Sequence, residues 1–439
     1  MKLSKIKLLT FIVLITTVIC FGFSTHHQVQ DNDINNNLNR LYEQRDYFKL
    51  KNLLNSSENK IEKWQYLYFK ALVANAFNRH EESNKTIEEI FKNYSNQIND
   101  TITSELLEVR LVNSILLFQF KEATETSKIL LKDYKPFLDT NDLEDYSNEL
   151  NIWSSLTDVP LQTISKTQDT KIQMTKDWVG LWNIPVTVSD STYDFIFDTG
   201  ANISTITKSY AIKLGFKILD TEFDVGTATD IQVKSGLAIA DKISLGNITY
   251  HNVVFLVLPD DALSFPQINY YINGIIGFPM IEAMEEIHIT KEHELFVPLK
   301  PKTKNIQNLA FDGLTPIILT THKNDSLGFA FDSGAMTTFL YLSYYNKYKD
   351  EIDSNYEIRT ITIGGAGGSI DVKGFILDDI NFLISNSKVS LDNVRLIAEE
   401  ITDNDNSDYF YGNLGQDVIS QFDEIVINFE SMYIEFLNR

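Results

Sequence analysis

Cysteine is almost absent: the 439 residues contain one, Cys20. It sits in the apolar N-terminal run, so removal of that run leaves neither disulfides nor thiol catalysis open to the chain. The signatures of several other chemistries are missing too. His288 and His293, in "EIHITKEHELF", lack the His-Glu-x-x-His spacing of a zinc helix and read as exposed strand histidines. There is no Gly-x-Ser-x-Gly elbow for a serine nucleophile. The run "IGGAGGSID" at 363–371 is not followed by Gly-Lys-Ser/Thr, which rules out a phosphate loop. No metal and no cofactor is expected. Basic residues are scarce, with 38 Lys and Arg against 60 Asp and Glu and a net charge of −22. Nucleic-acid binding needs a basic footprint to displace counterions and is not expected here.

Long hydrophobic runs are also lacking. Leu8 to Phe23 form a largely apolar stretch of 16 residues behind Lys2, Lys5 and Lys7. That is short for a membrane span and has the build of an export signal over residues 1–24, with Gly22 and Ser24 small before a cut at Thr25. The expectation is an exported protein, periplasmic, cell-surface or secreted. An uncleaved signal anchor and lipidation at Cys20 are the alternatives, and only these would bring a membrane into play.

What remains is ordinary globular composition, 43% hydrophobic and 22% charged, in a chain long enough for two or three units. Residues 38–156 carry apolar side chains at helical spacing, broken at short polar turns. Two stretches repeat one design: Phe77 matches Phe118 (118 − 77 = 41) and Tyr94 matches Tyr134 (134 − 94 = 40), with a weaker copy starting at Leu41. Stacked helical hairpins of this period resemble tetratricopeptide repeats, without that family's full residue pattern. An irregular helical bundle fits the same periodicity. Residues 157–172 lose it and read as a connector. Beyond them the period switches to two, and "NIPVTVSDSTYDFIFDTG" alternates on both sides of Ser189-Asp190-Ser191 as a hairpin does.

The β part is internally duplicated. "NGIIGFPMIEAMEEIHIT" (273–290) and "GNLGQDVISQFDEIVINFE" (412–430) align without a gap, pairing Gly277 with Gly415 and Ile287 with Ile425 at an offset of 138. Upstream, "FIFDTGANIST" and "FAFDSGAMTTF" place Asp198 and Asp332 at the ends of apolar strands, 134 residues apart. Each aspartate precedes its glycine element by a similar distance, 79 residues (277 − 198) and 83 (415 − 332). Pro185 and Pro316 mark the hairpins that lead in. A single Asp-Ser/Thr-Gly is commonly a turn in which the aspartate bonds its own backbone. Two of them, each tied to a matching glycine element, are not explained that way.

On these residues the chain resembles the aspartic proteases, the retropepsin-like branch with both lobes fused as in pepsins, over about residues 173–439. The expected fold is multidomain. A signal peptide (1–24) precedes an all-α helical-hairpin region resembling tetratricopeptide repeats (30–157). A mostly-β, two-lobed aspartic protease domain follows, with lobes at 168–302 and 303–439. The resemblance implies an aspartic endopeptidase, a hydrolase whose Asp198 and Asp332 form the catalytic dyad, share one proton and activate a water. It assigns support of the dyad loops to Thr199, Gly200, Ser333 and Gly334. The expected partner is a peptide or unfolded protein as substrate, with a possible protein partner at the helical region. Flaps are expected at 224–236, with Gly226 and Thr227, and at 363–371, with Gly364, Gly365, Gly367 and Gly368. The first lacks the tyrosine of pepsins. Asn413 stands where an apolar residue is usual, and looser packing beneath the second dyad loop is expected. A non-catalytic peptide- or protein-binding module on the same fold is the alternative, and lobes that pair between molecules are a third reading.

Overall fold

The computed structural model describes residues 25–138, 140–226, 232–365, 368–399 and 409–438. The expected signal segment, Thr227 and Gly367 lie outside them. Among the described residues, seven α-helices run from residue 25 to 155, and strands dominate the remainder. The helices are α1 (Thr25–Glu43), α2 (Tyr47–Asn55), α3 (Lys63–Ala76), α4 (His80–Asn93), α5 (Asp100–Leu116), α6 (Phe120–Asp133) and α7 (Thr140–Ser155). The first starts well before the weak copy read at Leu41. Its polar Asn/Asp run hides an apolar stripe of Ile34, Leu38 and Leu41, whose last two members are buried.

Three helix pairs share one turn. Arg45, Asn78 and Phe118 all take left-handed backbone, with φ of 50°, 55° and 55°. In each case the next N–H reaches back to a carbonyl five residues earlier: Asp46 to Leu41, Arg79 to Ala74 and Gln119 to Ser114, at 2.8–2.9 Å. The repeat therefore aligns Asn78 with Phe118 (118 − 78 = 40), in register with the helix-capping Tyr94 and Tyr134. Pairing Phe77 with Phe118 is off by one residue, because it matches side chains where the turn matches backbone. The helices pack consecutively, and α3 also packs on α5.

This array is not an independent bead. Phe48, Leu72 and Phe77 join one apolar core with Phe278, Phe311 and Phe429 of the β part. Asn78 Nδ2 donates to Glu282 Oε1 at 2.8 Å and to the Phe429 carbonyl at 3.0 Å. Arg45 and Tyr47 both reach Asp312. Nor is 157–172 a plain connector. Thr163–Ser165 pairs with Thr249–His251, and Thr170–Gln173 pairs with Glu294–Val297. Its Thr, Ser and Lys are the residues of edge strands rather than of a free linker.

Two ten-stranded sheets repeat the same core order. In the first it runs Ile248–Leu258, Thr205–Thr207, Gly274–Ile276, Ser191–Phe197, Trp182–Val188. In the second it runs Val394–Ile397, Phe339–Leu340, Gly412–Leu414, Asp325–Phe331, Thr315–His322. The successive pairings are parallel, antiparallel, parallel and antiparallel in both. The expected hairpin closes on Ser189-Asp190, with Val188 opposite Ser191.

A five-stranded sheet joins the halves, with Glu286–Thr290 antiparallel to Glu424–Asn428. Its centre pairs His288 with Val426, which are themselves equivalent by the 138 offset (426 − 288). The junction is thus a local twofold. His288 is buried here, not exposed: its ring nitrogens lie 2.8 Å from Glu286 and 2.8 Å from Glu424. The strand is covered on both faces, so a histidine on it is not left at the surface. His293 lies half-buried outside the strands, at a left-handed turn with φ 63°.

Burial pushes the Glu286 carboxyl up. Hydrogen bonds from His288, the Lys302 N–H and Asn428 outweigh that and hold it below its ordinary value of 4.5. A depressed carboxyl stabilises the fold above its unfolded value, and the contribution is lost as pH falls through the folded one. Urea midpoints measured from pH 6 down to pH 3 should therefore fall more steeply for the parent than for Glu286→Gln. Parallel curves would remove Glu286 from the acid sensitivity of the junction.

Candidate active site

The aspartate loops are built twice in the same way. Phe195 to Phe197 and Phe329 to Phe331 are buried strand ends, and each aspartate is the first residue beyond. The Asp198 N–H donates to the Ile276 carbonyl at 3.1 Å, and that of Asp332 to Leu414 at 3.0 Å. Beneath each loop passes a glycine. A Cβ on Gly277 would lie 2.7 Å from the Ala201 carbonyl oxygen, and one on Gly415 2.7 Å from that of Ala335. The glycine N–H groups are received by Ser204 Oγ at 3.0 Å and Thr338 Oγ1 at 3.1 Å. Only a residue without a side chain fits that gap, which explains the sequence match at 277 and 415.

Across the junction the two loops grip one another. The Thr199 N–H donates to Ser333 Oγ at 3.0 Å, and the Ser333 N–H to Thr199 Oγ1 at 2.9 Å. Each hydroxyl then donates onward to the opposite strand, Thr199 to the Phe331 carbonyl at 3.1 Å and Ser333 to that of Phe197 at 3.0 Å. Both side chains are buried. Four bonds closed in this way fix the loops face to face and leave neither hydroxyl unpaired.

The result brings Asp198, Asp332, Thr199, Ser333, Gly200 and Gly334 together. A Cβ on Gly200 would lie 2.7 Å from Asp332 Oδ1, and one on Gly334 2.5 Å from Asp198 Oδ1. Each carboxyl therefore faces the other loop's bare glycine. The Gly200 N–H donates to Asp198 Oδ1 at 2.8 Å, and the Gly334 N–H to Asp332 Oδ1 at 2.7 Å. Burial first, and the neighbouring Asp332 second, drive the Asp198 carboxyl well above the ordinary carboxylate range. Two carboxyl groups so placed hold one proton between them at far lower cost than none.

The described flap candidates lie in hairpins of their own. Gly226 ends the strand Phe223–Gly226 and pairs with Gln232, while Gly364, Gly365 and Gly368 form the closed end of the hairpin Arg359–Gly365/Gly368–Leu377.

Three contributors were not anticipated from the sequence. Asn413 does not loosen the second loop. It is buried, and its Nδ2 donates to Asp332 Oδ2 at 3.0 Å. Gln416 Nε2 donates to the Ser333 carbonyl at 2.9 Å. Asp417 receives the Thr338 N–H at 2.8 Å and hydroxyl at 2.7 Å. The signal was present in the aligned glycine elements, where Asn413 and Gln416 stand opposite Ile275 and Phe278. A polar residue at an otherwise apolar strand position needs a partner.

A family model of aspartyl proteases matches residues 184–280, which include the first aspartate loop and its glycine element. No curated protein matches the chain.

Proposed function

We propose that the chain is an aspartic endopeptidase in which Asp198 and Asp332 act as one pair. One carboxyl is ionised and takes a proton from a bound water, whose oxygen attacks the scissile carbonyl carbon. The other carries the shared proton and gives it to the carbonyl oxygen. Collapse of the tetrahedral intermediate breaks the C–N bond, and the nitrogen leaves as an amine with a proton returned from the pair. The observation that carries this reading is the reciprocal grip of Thr199 and Ser333, which has no purpose in an isolated turn and sets two carboxyl groups opposite each other. The aspartyl protease match over 184–280 supports it.

The substrate is a peptide or an unfolded protein segment, held extended by strand pairing under the candidate flaps at 224–236 and 363–371. The N-terminal run fits this role, since an exported peptidase meets proteins outside the cell. Digesting a denatured protein with the purified chain from pH 3 to pH 8, and mapping cuts by mass spectrometry, tests the reading. Internal cleavage with a pH optimum is expected. A folded chain that cuts nothing in that range would leave a peptide-binding module as the better account.

A further inference from the structure

The two halves of the site are equivalent in backbone but not in what their carboxyl groups receive. Ile275 and Asn413 occupy the same place (413 − 275 = 138). Ile275 pairs in parallel with Ile196, two residues before Asp198, and Asn413 with Ala330, two before Asp332. Both carboxyl groups receive two backbone N–H groups: Asp332 Oδ1 from Gly334 at 2.7 Å and Ala335 at 3.0 Å, and Asp198 from Gly200 and Ala201. Asp332 Oδ2 accepts the Asn413 amide at 3.0 Å. Position 275 offers Asp198 no such donor, because isoleucine has none.

A buried amide in a strand that otherwise carries apolar side chains is costly unless it is bonded. Asn413 is 6% exposed, and its Oδ1 is buried without a partner among the described residues. Its bond to Asp332 is therefore what favours asparagine over an apolar residue here. A donor aimed at a carboxyl oxygen stabilises the ionised form over the acid, and does so more strongly where water is excluded.

We propose that Asn413 is a positioning residue that divides the pair by role. It holds Asp332 as the ionised, water-activating carboxylate and leaves the shared proton on Asp198. This rests on the peptidase reading for its catalytic meaning, though not for the titration it predicts. The other ionisable groups facing Asp332 do not reverse it. Tyr341 is buried, and burial together with the Asp332 charge pushes its hydroxyl far up, so it stays neutral. Asp417 is held by Thr338. Asp198 itself is driven toward its acid form by burial and by Asp332.

The test has two readouts on the full chain. In Asn413→Ile the carboxylate that acts as base loses its extra donor, so the acidic limb of kcat/KM should move up by about one pH unit. That is roughly a tenfold loss below the limb, with the plateau largely kept. Adding Ile275→Asn moves the donor to the other loop and should bring the limb back. In parallel, 13C NMR of aspartate labelled at the side-chain carboxyl follows the pair directly, with Asp198→Asn and Asp332→Asn for assignment. The parent should ionise at Asp332 first, and the double exchange at Asp198 first. A pH profile for Asn413→Ile that superimposes on the parent, or a parent that ionises first at Asp198, overturns the proposal. If isoleucine does not fold at 413, Asn413→Ser withdraws the donor and gives the same comparison. A parent that cleaves nothing sinks the peptidase reading alone, since the NMR titration still decides what Asn413 does.

Discussion

Asparagine at either Asp198 or Asp332 should lower kcat/KM for peptide cleavage by about a thousandfold or more, with little change in KM. The substitution keeps shape and removes one ionisable group, so what is lost is the proton shared across the pair. Asp198→Asn is the cleaner of the two. Its Oδ1 can still accept the Gly200 N–H, now found at 2.8 Å, and the facing Asp332 keeps its backbone donors. Asp332→Asn carries a second cost. Its amide can keep an oxygen toward the Gly334 and Ala335 N–H groups only by turning its own NH2 toward the Asn413 Nδ2, which now donates to Asp332 at 3.0 Å. Two donors then face one another unless the Asn413 amide turns over, which carries its NH2 to where Oδ1 now lies buried without a partner among the described residues. Either way, this variant should also unfold at a lower temperature than Asp198→Asn. Steady-state kinetics on a short peptide, with thermal melts of both proteins, checks the pair of statements. Either variant retaining a tenth of parental activity would remove the shared-proton account.

Alanine at Gly200 or Gly334 should be nearly as damaging, at about a hundredfold in kcat/KM, although neither position touches the proton chemistry itself. The added methyl on Gly334 would stand 2.5 Å from Asp198 Oδ1, and that on Gly200 2.7 Å from Asp332 Oδ1. Real side chains do not approach so closely, so the carboxyl or the whole loop must move. Displacements near one ångström cost rate on that scale. Neither glycine has left-handed backbone, so the penalty arises from contact and not from strain. Gly313 is the control: its φ is 56°, with nothing within 4 Å of an added Cβ. Gly313→Ala should cost some stability and leave kcat/KM within about twofold of the parent. Wild-type-like rates in both dyad-loop variants would mean that the aspartate loops are not held face to face.

Much of this arrangement is legible in the chain because steric demands leave few residue choices. Gly277 and Gly415 match at 138 since each passes under a carbonyl at 2.7 Å from a would-be Cβ. Thr199 and Ser333 match at 134 since each needs a hydroxyl short enough to bond the opposite loop. The hairpin over Ser189-Asp190 is a local matter of alternation and turn chemistry. What escaped detection depends on non-local surroundings. His288 reads as a surface strand residue until a second strand and two carboxylates close over it. The helical repeat is shifted by one because its invariant is a left-handed turn, which asparagine fills at 78 and phenylalanine at 118. Asn413 looked like a packing flaw because its partner lies 81 residues earlier. Strands 163–165 and 170–173 looked like linker because an edge strand needs only one neighbour and little apolar patterning.

The central claim is that one chain supplies both carboxylates of one hydrolytic site. Unfolding Asp198→Asn and Asp332→Asn together, refolding the mixture, and assaying peptide cleavage beside refolded parent tests it most directly. The account predicts an active parent and a mixture as inactive as either variant alone, since every molecule carries a broken pair. A mixture that regains cleavage would show that intact pairs form between molecules, with Asp198 from one chain and Asp332 from another, and would contradict a site completed within the chain.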